Sequence, residues 1–222
     1  MNVEPEYWIT RWQEGRTGWH HGEVMPLLAK HWGALEVPPG TRVLVPFCGK
    51  SLDMLWLAEQ GLKVLGVEVA PLAIEQFFAD NHLAATKREA ADGIHYTAGD
   101  IEIIQGNLFE TDAATLAGCG AVYDRAAIIA QSPSQRRRYA ESIYGALPAD
   151  CRGLMITLEY PQAEMAGPPF SVDADEVNQL FGAHWDIDIA ERRDILANQP
   201  GFQKDGVTAL HTAIYRLHRR AD

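Results

Sequence analysis

Gly49-Lys50-Ser51 directly follows an apolar run, which is where the phosphate-binding loop of many nucleotide-binding proteins ends. That loop requires another glycine five positions before Gly49, and this sequence has Leu44 there. Pro46, which lies between the two, has no backbone N–H to offer a phosphate. The three-glycine pattern for dinucleotides also fails, because Gly49 is the only glycine of the turn. The loop is therefore not typical of a protein that binds ATP, GTP or a dinucleotide.

Glu68 stands 19 residues after Gly49 and ends the next apolar run. A carboxylate at the tip of the second strand of a strand–helix–strand unit is placed to bind both hydroxyls of a ribose. The alternative is a solvated glutamate at the end of a strand. A ribose acid without a phosphate cradle predicts S-adenosylmethionine as the ligand, because this cofactor carries a ribose and no phosphate. Aromatic faces would also attract its sulfonium cation, by about 0.5–2 kcal/mol.

These residues fall at the junctions of alternating strands and helices. Apolar patterns predict strands at 42–46 and 63–68, and helices at 51–61 and from Pro71 onward, with short connections between them. This alternation is typical of an α/β protein with a parallel, doubly wound sheet and helices on both faces.

Two amphipathic helices are predicted before the first strand, one from Pro5 to Gly15 and the other over 22–36. Trp8 and Trp12 are four residues apart, so they share one face of the first helix. Such a face must cover something, and we expect segment 1–40 to form a helical lid over the cofactor pocket. The alternative is that the tryptophans only fasten the helix to the body of the protein.

The second half of the chain continues the alternation and ends in antiparallel strands. Alternating patterns at 185–195 and 208–219 predict an antiparallel edge hairpin. Before it the patterns predict, in order, a hairpin over 93–107 whose second strand is the third main strand, a strand at 121–128, a helix capped by Ser132, a strand at 151–161 and a helix from a Ser171 cap to Gly182. No repeat or linker interrupts the chain, which predicts one domain over 1–222.

The composition favours small-molecule partners. The 30 acidic and 19 basic residues give a net charge of −11, which disfavours binding to nucleic acid or to an anionic membrane. Cys48, Cys119 and Cys151 form no Cys-x-x-Cys pair, which argues against a disulfide framework and a zinc site. The N-terminus lacks the pattern of a signal peptide, and no apolar stretch reaches about 18 residues. We therefore expect a cytoplasmic protein.

Several motifs together resemble the thiopurine S-methyltransferase family, including its bacterial members. They are VPFCGKSLDMLWLAEQG, VLGVEVAPLAIEQFF, YDRAAI, GPPFSV and the opening WITRW, and the resemblance covers roughly residues 7–217. It implies a Rossmann-like class I methyltransferase fold, with a seven-stranded, mostly parallel sheet whose last strand is antiparallel. It also implies methylation of the sulfur of thiopurines and other aromatic or heterocyclic thiols. Several bacterial members are linked to methylation of tellurite or selenium species as well.

The resemblance also implies roles for individual residues. Those implied for binding S-adenosylmethionine are Trp8, Trp12, Phe47, Gly49, Glu68, Asn107, Leu108 and Arg125. Trp19 and Arg125 are implied on the substrate side, with Arg125 as the catalytic residue. Phe47 stands where the family commonly has leucine, which keeps an apolar wall. Ala126 stands where the family often has glycine, which alters the turn and leaves the charge of Arg125.

Other polar residues have ordinary structural explanations. We expect Asp124 to orient Arg125 or a backbone group, with a general-base role as the alternative. His20 and His21 lack partners at metal-ligand spacing, so no metal site is expected. Cys48 is expected to be a buried packing residue, and Lys50 is expected to cap a helix, with contact to the ligand carboxylate as its alternative. The run 136–138 is expected to form a solvated helix face.

Methyl transfer to a thiol needs little acid–base help. The leaving group, S-adenosylhomocysteine, is neutral, and heterocyclic thiols ionise readily. Alignment of the reactants and electrostatic support from Arg125 would then carry catalysis. We expect a monomer with a small-molecule thiol as its substrate. The alternatives are a methyltransferase for halide or another small nucleophile, and a non-catalytic protein that binds a nucleoside.

Overall fold

The computed structural model describes residues 4–221, in which nine strands form one sheet. In chain order the strands are β1 (Arg42–Pro46), β2 (Lys63–Glu68), β3 (Thr86–Ala90), β4 (Gly93–Ala98), β5 (Ile101–Gln105), β6 (Ala121–Arg125), β7 (Arg152–Glu159), β8 (Trp185–Asp194) and β9 (His211–Arg219). Across the sheet their order is β3-β4-β5-β2-β1-β6-β7-β9-β8.

The middle of the sheet confirms the predicted parallel, doubly wound arrangement. Strands β5, β2, β1, β6 and β7 are parallel neighbours, and the last strand, β9, is antiparallel to both β7 and β8. The prediction of seven strands was wrong, because β3 and β4 extend the sheet by an antiparallel pair beyond β5. β4 and β5 form the predicted hairpin. The predictions missed β3, since all five of its residues are exposed and its sequence carries no apolar pattern.

Eight α-helices lie among the described residues. They are α1 (Pro5–Gln13), α2 (Pro26–His31), α3 (Asp53–Glu59), α4 (Pro71–Asp80), α5 (Ala113–Ala117), α6 (Pro133–Ser142), α7 (Ala174–Phe181) and α8 (Pro200–Lys204). None of the helices within 4–221 is long and apolar enough to cross a membrane. The starts at Pro5 and Pro71 agree with prediction, since proline is well accommodated at the first position of a helix. Ser132 and Gln135 form a capping box at the start of α6, which confirms that predicted cap.

An apolar core lies on each face of the sheet, where the helices pack against the strands. α2, α3 and α4 cover one face, where Leu28, Met54 and Phe77 are fully buried. α5, α6 and α7 cover the other face, where Tyr139 and Phe181 are buried. The helices on both faces confirm the predicted layers.

Two local predictions were wrong, the extent of the second helix and the cap of α7. The second helix begins at Pro26 rather than Gly22, and its last part, Trp32–Leu35, is a tighter 3₁₀ turn. The cap of α7 is Asp173, whose carboxylate accepts the N–H of Glu176. The predicted cap, Ser171, instead accepts the N–H of Tyr160 through its hydroxyl oxygen.

Arg136 corrects the expectation of a solvated arginine face on α6, because only 1% of its surface is exposed. Its guanidinium donates to Glu176 Oε2 at 2.5 Å, to the carbonyl of Ser171 at 2.9 Å and to the carbonyl of Gln131 at 3.0 Å. These partners neutralise the charge and satisfy its donors, which is what allows an arginine to be buried.

The chain reverses its direction of travel across the sheet at β1, because β2 lies on one side of β1 and β6 on the other. Ligands of open α/β sheets bind at such a point, outside the carboxyl ends of the strands. Pro46, Glu68 and Arg125 are the last residues of these three strands. The fold therefore brings the predicted site residues to one edge.

Candidate functional site

A cavity of about 400 Å³ opens at this edge of the sheet. Its size falls in the range of small-molecule sites. One side is formed by the N-terminal segment through Trp8, Trp12 and Trp19, and the floor includes Phe47, Glu68 and Arg125. Six of the residues predicted from the sequence therefore line one cavity.

The turn after β1 depends on a glycine at position 49. Gly49 has φ +53°, in the left-handed region that favours glycine. A Cβ atom on this residue would lie 3.0 Å from Cζ2 of Trp12, whose side chain is buried against the turn. Its backbone N–H donates to Glu68 Oε2 at 2.9 Å. The close approach of Trp12 thus ties the N-terminal helix to the turn.

Gly49→Ala is expected to lower the free energy of unfolding by about 1–2 kcal/mol, since it adds left-handed strain and forces Trp12 to move. Cofactor affinity is expected to fall with it. Urea denaturation and calorimetry measure the two effects. Gly22→Ala is the matched control, because no heavy atom lies within 4 Å of the added Cβ. Equal stability of the two variants would contradict the account of this turn.

Glu68 is buried, and both of its carboxylate oxygens accept backbone N–H groups. Oε2 accepts from Gly49, and Oε1 accepts from Ala70 at 2.8 Å. Burial raises the pKa of the Glu68 carboxyl, while these hydrogen bonds oppose the shift. An ionised carboxylate has about four acceptor positions, so it can still accept a hydrogen bond from a ligand in the cavity. This geometry agrees with a ribose acid and differs from a solvated glutamate at a strand end.

Arg125 ends β6 and reaches both the cavity and a smaller cleft under Trp12. Its Nη2 donates to the backbone carbonyl of Trp19 at 3.0 Å. Ala126, the next residue, has φ +59°, and Phe47 on the neighbouring turn has φ +47°. A non-glycine residue in this region costs about 1–2 kcal/mol. Two strained residues therefore flank the predicted catalytic arginine, as is common at functional sites.

The tryptophans of the N-terminal segment form an edge-to-face cluster. The ring centroids of Trp8 and Trp19 are 5.2 Å apart, and those of Trp12 and Trp19 are 6.1 Å apart. The Arg11 guanidinium lies 5.3 Å from the Trp19 ring and 5.5 Å from the Tyr7 ring. The cluster gives the cavity an aromatic wall that is suited to a cation or an aromatic ring.

Asn107 and Leu108 do not line the cavity. Asn107 caps the short 3₁₀ turn after β5, where its Oδ1 accepts the N–H of Phe109 at 3.2 Å. Leu108 is fully buried in the core on the α6 face. They directly follow Gly106 in the chain, and the N–H of Gly106 donates to the backbone carbonyl of Glu68. The segment therefore borders Glu68 through the backbone of Gly106, and the predicted contact of Asn107 and Leu108 with the cofactor stays a prediction.

Asp124 has the structural role expected of it, although its partners are not Arg125. Its oxygens accept the N–H of Ile128 and the hydroxyls of Tyr139 and Tyr144. Burial raises the pKa of the Asp124 carboxyl. This buried carboxylate accepts three hydrogen bonds, and through them it holds the loop after β6 in place.

Cys48 has the structural role expected of it, whereas the predicted helix cap at Lys50 was wrong, because the N-cap of α3 is Leu52. Cys48 is a buried packing residue under β2, where its sulfur would lie 2.6 Å from a Cβ placed on Gly66. Lys50 forms an ion pair with Asp80 at 3.0 Å. Neither geometry provides a nucleophile or a general base.

The histidines beside the site are expected to be neutral at pH 7. Burial, helped by the charges of Lys50 and Arg125, lowers the pKa of His20. Burial and Arg125 likewise lower the pKa of His21. Within 4–221 there is no group of three or more histidine, cysteine or acidic side chains that could hold a metal ion.

The sequence analysis missed the far wall of the cavity. This wall is formed by the end of β7, by Pro168 and Pro169, and by residues on β8, on β9 and in the segment that connects them, including Arg193 and Thr212. The GPPF motif was a signal for part of it. The hairpin residues carry no local signal, because only the pairing of three strands brings them to the cavity.

Comparison with known proteins gives a consistent family. The family model described as Thiopurine S-methyltransferase matches residues 3–220. A thiopurine S-methyltransferase of Xanthomonas campestris pv. campestris (strain 8004) is 57% identical over 217 residues, covering 98% of this chain and all of the relative. The enzyme of the same name from Bordetella petrii is 52% identical over 218 residues, with 98% of this chain and all of the relative covered.

Solved structures with low sequence identity share the fold. A Burkholderia thailandensis 1,6-didemethyltoxoflavin-N1-methyltransferase with bound S-adenosylhomocysteine has a TM-score of 0.64 at 17% identity, covering 98% of this chain and 87% of that one. The mycolic acid cyclopropane synthase CmaA1, also with S-adenosylhomocysteine, has a TM-score of 0.62 at 10% identity, covering 87% and 83%. This likeness confirms the class I methyltransferase fold.

Proposed function

Because this chain belongs to the thiopurine S-methyltransferase family, we propose that its cavity binds S-adenosylmethionine and that Arg125 supports methyl transfer to the sulfur of a thiopurine or a related aromatic thiol. The chain covers the full length of relatives named for this activity. The observation that carries the proposal is the buried carboxylate of Glu68, which is fixed on the N–H of Gly49 at the edge of the cavity.

The residues of this edge fit the cofactor. Glu68 retains acceptor positions for the ribose hydroxyls, and the N–H of Gly49 holds this carboxylate in place at the edge of the cavity. Pro46 has no N–H, so the turn lacks the row of donors that a phosphate needs. The aromatic wall of Trp8, Trp12 and Trp19 suits the sulfonium cation. When bound, the cofactor supplies an electrophilic methyl group on that sulfonium sulfur and departs as S-adenosylhomocysteine.

The residues of the chain act on the acceptor by position and charge. Arg125 keeps its positive charge at all ordinary pH values, so it stabilises a thiolate and cannot accept a proton. The tryptophans and Phe47 enclose an aromatic ring and align it with the methyl group. Such alignment can lower the activation barrier by several kcal/mol. No general base is required, since a heterocyclic thiol ionises readily. We therefore expect Arg125 to lower the barrier electrostatically. We expect alignment to lower it by reducing the entropy lost when the reactants come together.

Two experiments test the proposal. Calorimetry should show binding of S-adenosylmethionine and S-adenosylhomocysteine but not of ATP. A screen with labelled methyl donor should then show product from a thiopurine and from thiophenol, with iodide, tellurite and selenite tested alongside. Binding of ATP alone would refute the cofactor assignment. Cofactor binding without methylation of any acceptor would favour the non-catalytic alternative.

The affinity for S-adenosylmethionine is expected to fall as the pH is lowered, because a protonated Glu68 loses acceptor positions. Since burial raises the pKa of this carboxyl, the loss begins at a higher pH than an ordinary glutamate would give. Calorimetry across the acid range measures the effect. If the affinity fell only in the pH range in which an ordinary glutamate is protonated, the role of burial would be contradicted.

We include in the proposal a cytoplasmic monomer that uses no metal and binds neither nucleic acid nor membrane. The acidic net charge supports the last two parts. Light scattering tests the oligomeric state, and activity after treatment with a chelator tests the metal.

A further inference from the structure

The charge of the cavity differs in sign from that of the whole chain. Three arginines line it, Arg11, Arg125 and Arg193, and Glu68 is the only acid among the described lining residues. The full chain has a net charge of −11. The nearby His21 does not oppose this balance, because burial and Arg125 lower its pKa and keep it neutral at pH 7. The cavity therefore carries an excess of positive charge, whereas the chain as a whole is acidic.

The three arginines are not equally available to a ligand. Arg11 donates to the Tyr7 hydroxyl and the Arg16 carbonyl and lies against two aromatic rings. Arg125 stands at the end of β6, where the thiol is proposed to bind. Among residues 4–221, Arg193 pairs with one acid, Glu191, whose Oε1 lies 3.7 Å from its guanidinium.

Glu191 is itself already occupied. Its Oε2 accepts from Lys30 Nζ at 2.6 Å and from His31 Nε2 at 2.7 Å. The side chain of Arg193 is half exposed. Its guanidinium is therefore a half-exposed cation on the cavity wall, held only by a long ion pair to an acid that has closer partners.

Strand pairing places Arg193 across the cavity from Arg125. Leu158 on β7 pairs with Thr212 on β9, which pairs with Arg193 on β8. Residues directly opposite in antiparallel strands project from the same face, and all three line the cavity. Since β6 is the third strand from β8, the backbones of the two strands lie about 14 Å apart. The side chains of Arg125 and Arg193 approach the same space from opposite sides.

We propose that Arg193 forms an anion-binding subsite for the methyl acceptor, which selects aromatic thiols that carry a carboxylate on the ring away from the sulfur. The inference rests on the proposed function, in which the thiol end lies at Arg125. A dianionic acceptor places its thiolate toward Arg125 and its carboxylate toward Arg193. Thr212 supports the subsite: its hydroxyl already donates to the carbonyl of Thr157 at 3.0 Å, and its oxygen can still accept.

The test compares mercaptobenzoates with mercaptobenzamides of the same substitution pattern. The amide has the shape of the carboxylate without its charge. The 2-, 3- and 4-isomers are each measured with S-adenosylmethionine, at a pH where both thiols are ionised. We expect the best benzoate to exceed its amide in kcat/KM by about five- to tenfold, the effect of a charge-assisted hydrogen bond at a partly exposed site. Added salt should reduce this ratio.

Variants assign the preference to a residue. Arg193→Gln is expected to bring the benzoate-to-amide ratio close to one, and Arg193→Lys to restore part of it. Arg192→Gln is the matched control, because Arg192 pairs with Glu159 and does not line the cavity. It removes the same charge one residue away and is expected to keep the ratio of the unmodified protein.

The outcomes separate this inference from the proposed function. If the amides are methylated and no benzoate is preferred, the anion subsite is refuted and the methyltransferase proposal stands. If the preference is equal in Arg193→Gln and Arg192→Gln, Arg193 is not its source. If none of the thiols is methylated, the proposed function fails, and the subsite fails with it.

Discussion

Glu68→Gln is expected to weaken the binding of S-adenosylmethionine by about a hundredfold. The substitution removes the charge that strengthens hydrogen bonds to the ribose, and each hydrogen bond to a charged group contributes about 1.5–3 kcal/mol. The amide also turns one N–H donor toward either Gly49 or Ala70, whose N–H groups now meet the carboxylate oxygens. One backbone donor is thereby left without an acceptor. Calorimetry with S-adenosylmethionine and with its product measures the loss.

The same variant is expected to lower the free energy of unfolding by about 1–2 kcal/mol, from the one buried N–H that loses its partner. The raised pKa of the carboxyl shows that burial of its charge is costly, so part of the loss is offset when the charge is removed. Urea denaturation without ligand measures this effect separately from binding.

Glu75→Gln is the matched control, since Glu75 is exposed on α4. It removes the same charge from the acidic chain and is expected to change neither affinity nor stability. If Glu68→Gln bound the cofactor as tightly as the control does, the ribose role of Glu68 would be wrong, and the carboxylate would be only a fastening for the turn.

The pair of Gly49 and Glu68 could be predicted from the sequence because both lie in one local unit. A strand–helix–strand unit with parallel neighbours brings the end of each strand to the same edge, whatever the rest of the chain does. The register confirms it, with β1 paired to β2 from Arg42–Lys63 to Pro46–Val67. Local pattern and tertiary position agree there, so the placement of Gly49 and Glu68 at one edge of the sheet could be inferred without a structure.

Long-range pairing decided what the sequence could not indicate. Arg136 looks like a solvated residue in its helix, and its burial depends on Glu176 and on the carbonyl of Ser171, 40 and 35 residues away. Arg193 lies on the cavity only because the β8–β9 hairpin pairs with β7 in one register. β3 is an exposed edge strand with charged residues. Such residues protect an edge strand from pairing with other chains. They also leave no apolar pattern from which the strand could be predicted.

Arg125→Ala is expected to lower kcat/KM for an aromatic thiol by about 10²–10³-fold, the usual cost of removing a preorganised group that stabilises charge in an active site. Its charge is placed at the end of β6, beside the turn that carries Gly49 and in the same cavity as Glu68. Steady-state kinetics with saturating S-adenosylmethionine measure the loss. Cofactor affinity is expected to change far less, because Glu68 and the turn that carries Gly49 are retained.

Arg125 also holds the N-terminal segment through the carbonyl of Trp19, so lost activity alone does not identify a catalytic charge. The pH profile separates the two roles. If Arg125 stabilises the thiolate, its removal moves the acid limb of kcat/KM upward, toward the pKa of the free thiol in solution. If it only anchors Trp19, the rate falls at all pH values and the limb stays in place.

Arg125→Lys completes the test, because lysine keeps the charge and changes the geometry of its donors. We expect it to return the acid limb to its original position while recovering only part of the rate. If kcat/KM were unchanged in Arg125→Ala, the charge of Arg125 would not be needed, and catalysis would be assigned to alignment by the tryptophan wall and Phe47. In that case the cation that matters for acceptor choice would be Arg193, and the preference for a carboxylate would persist without Arg125.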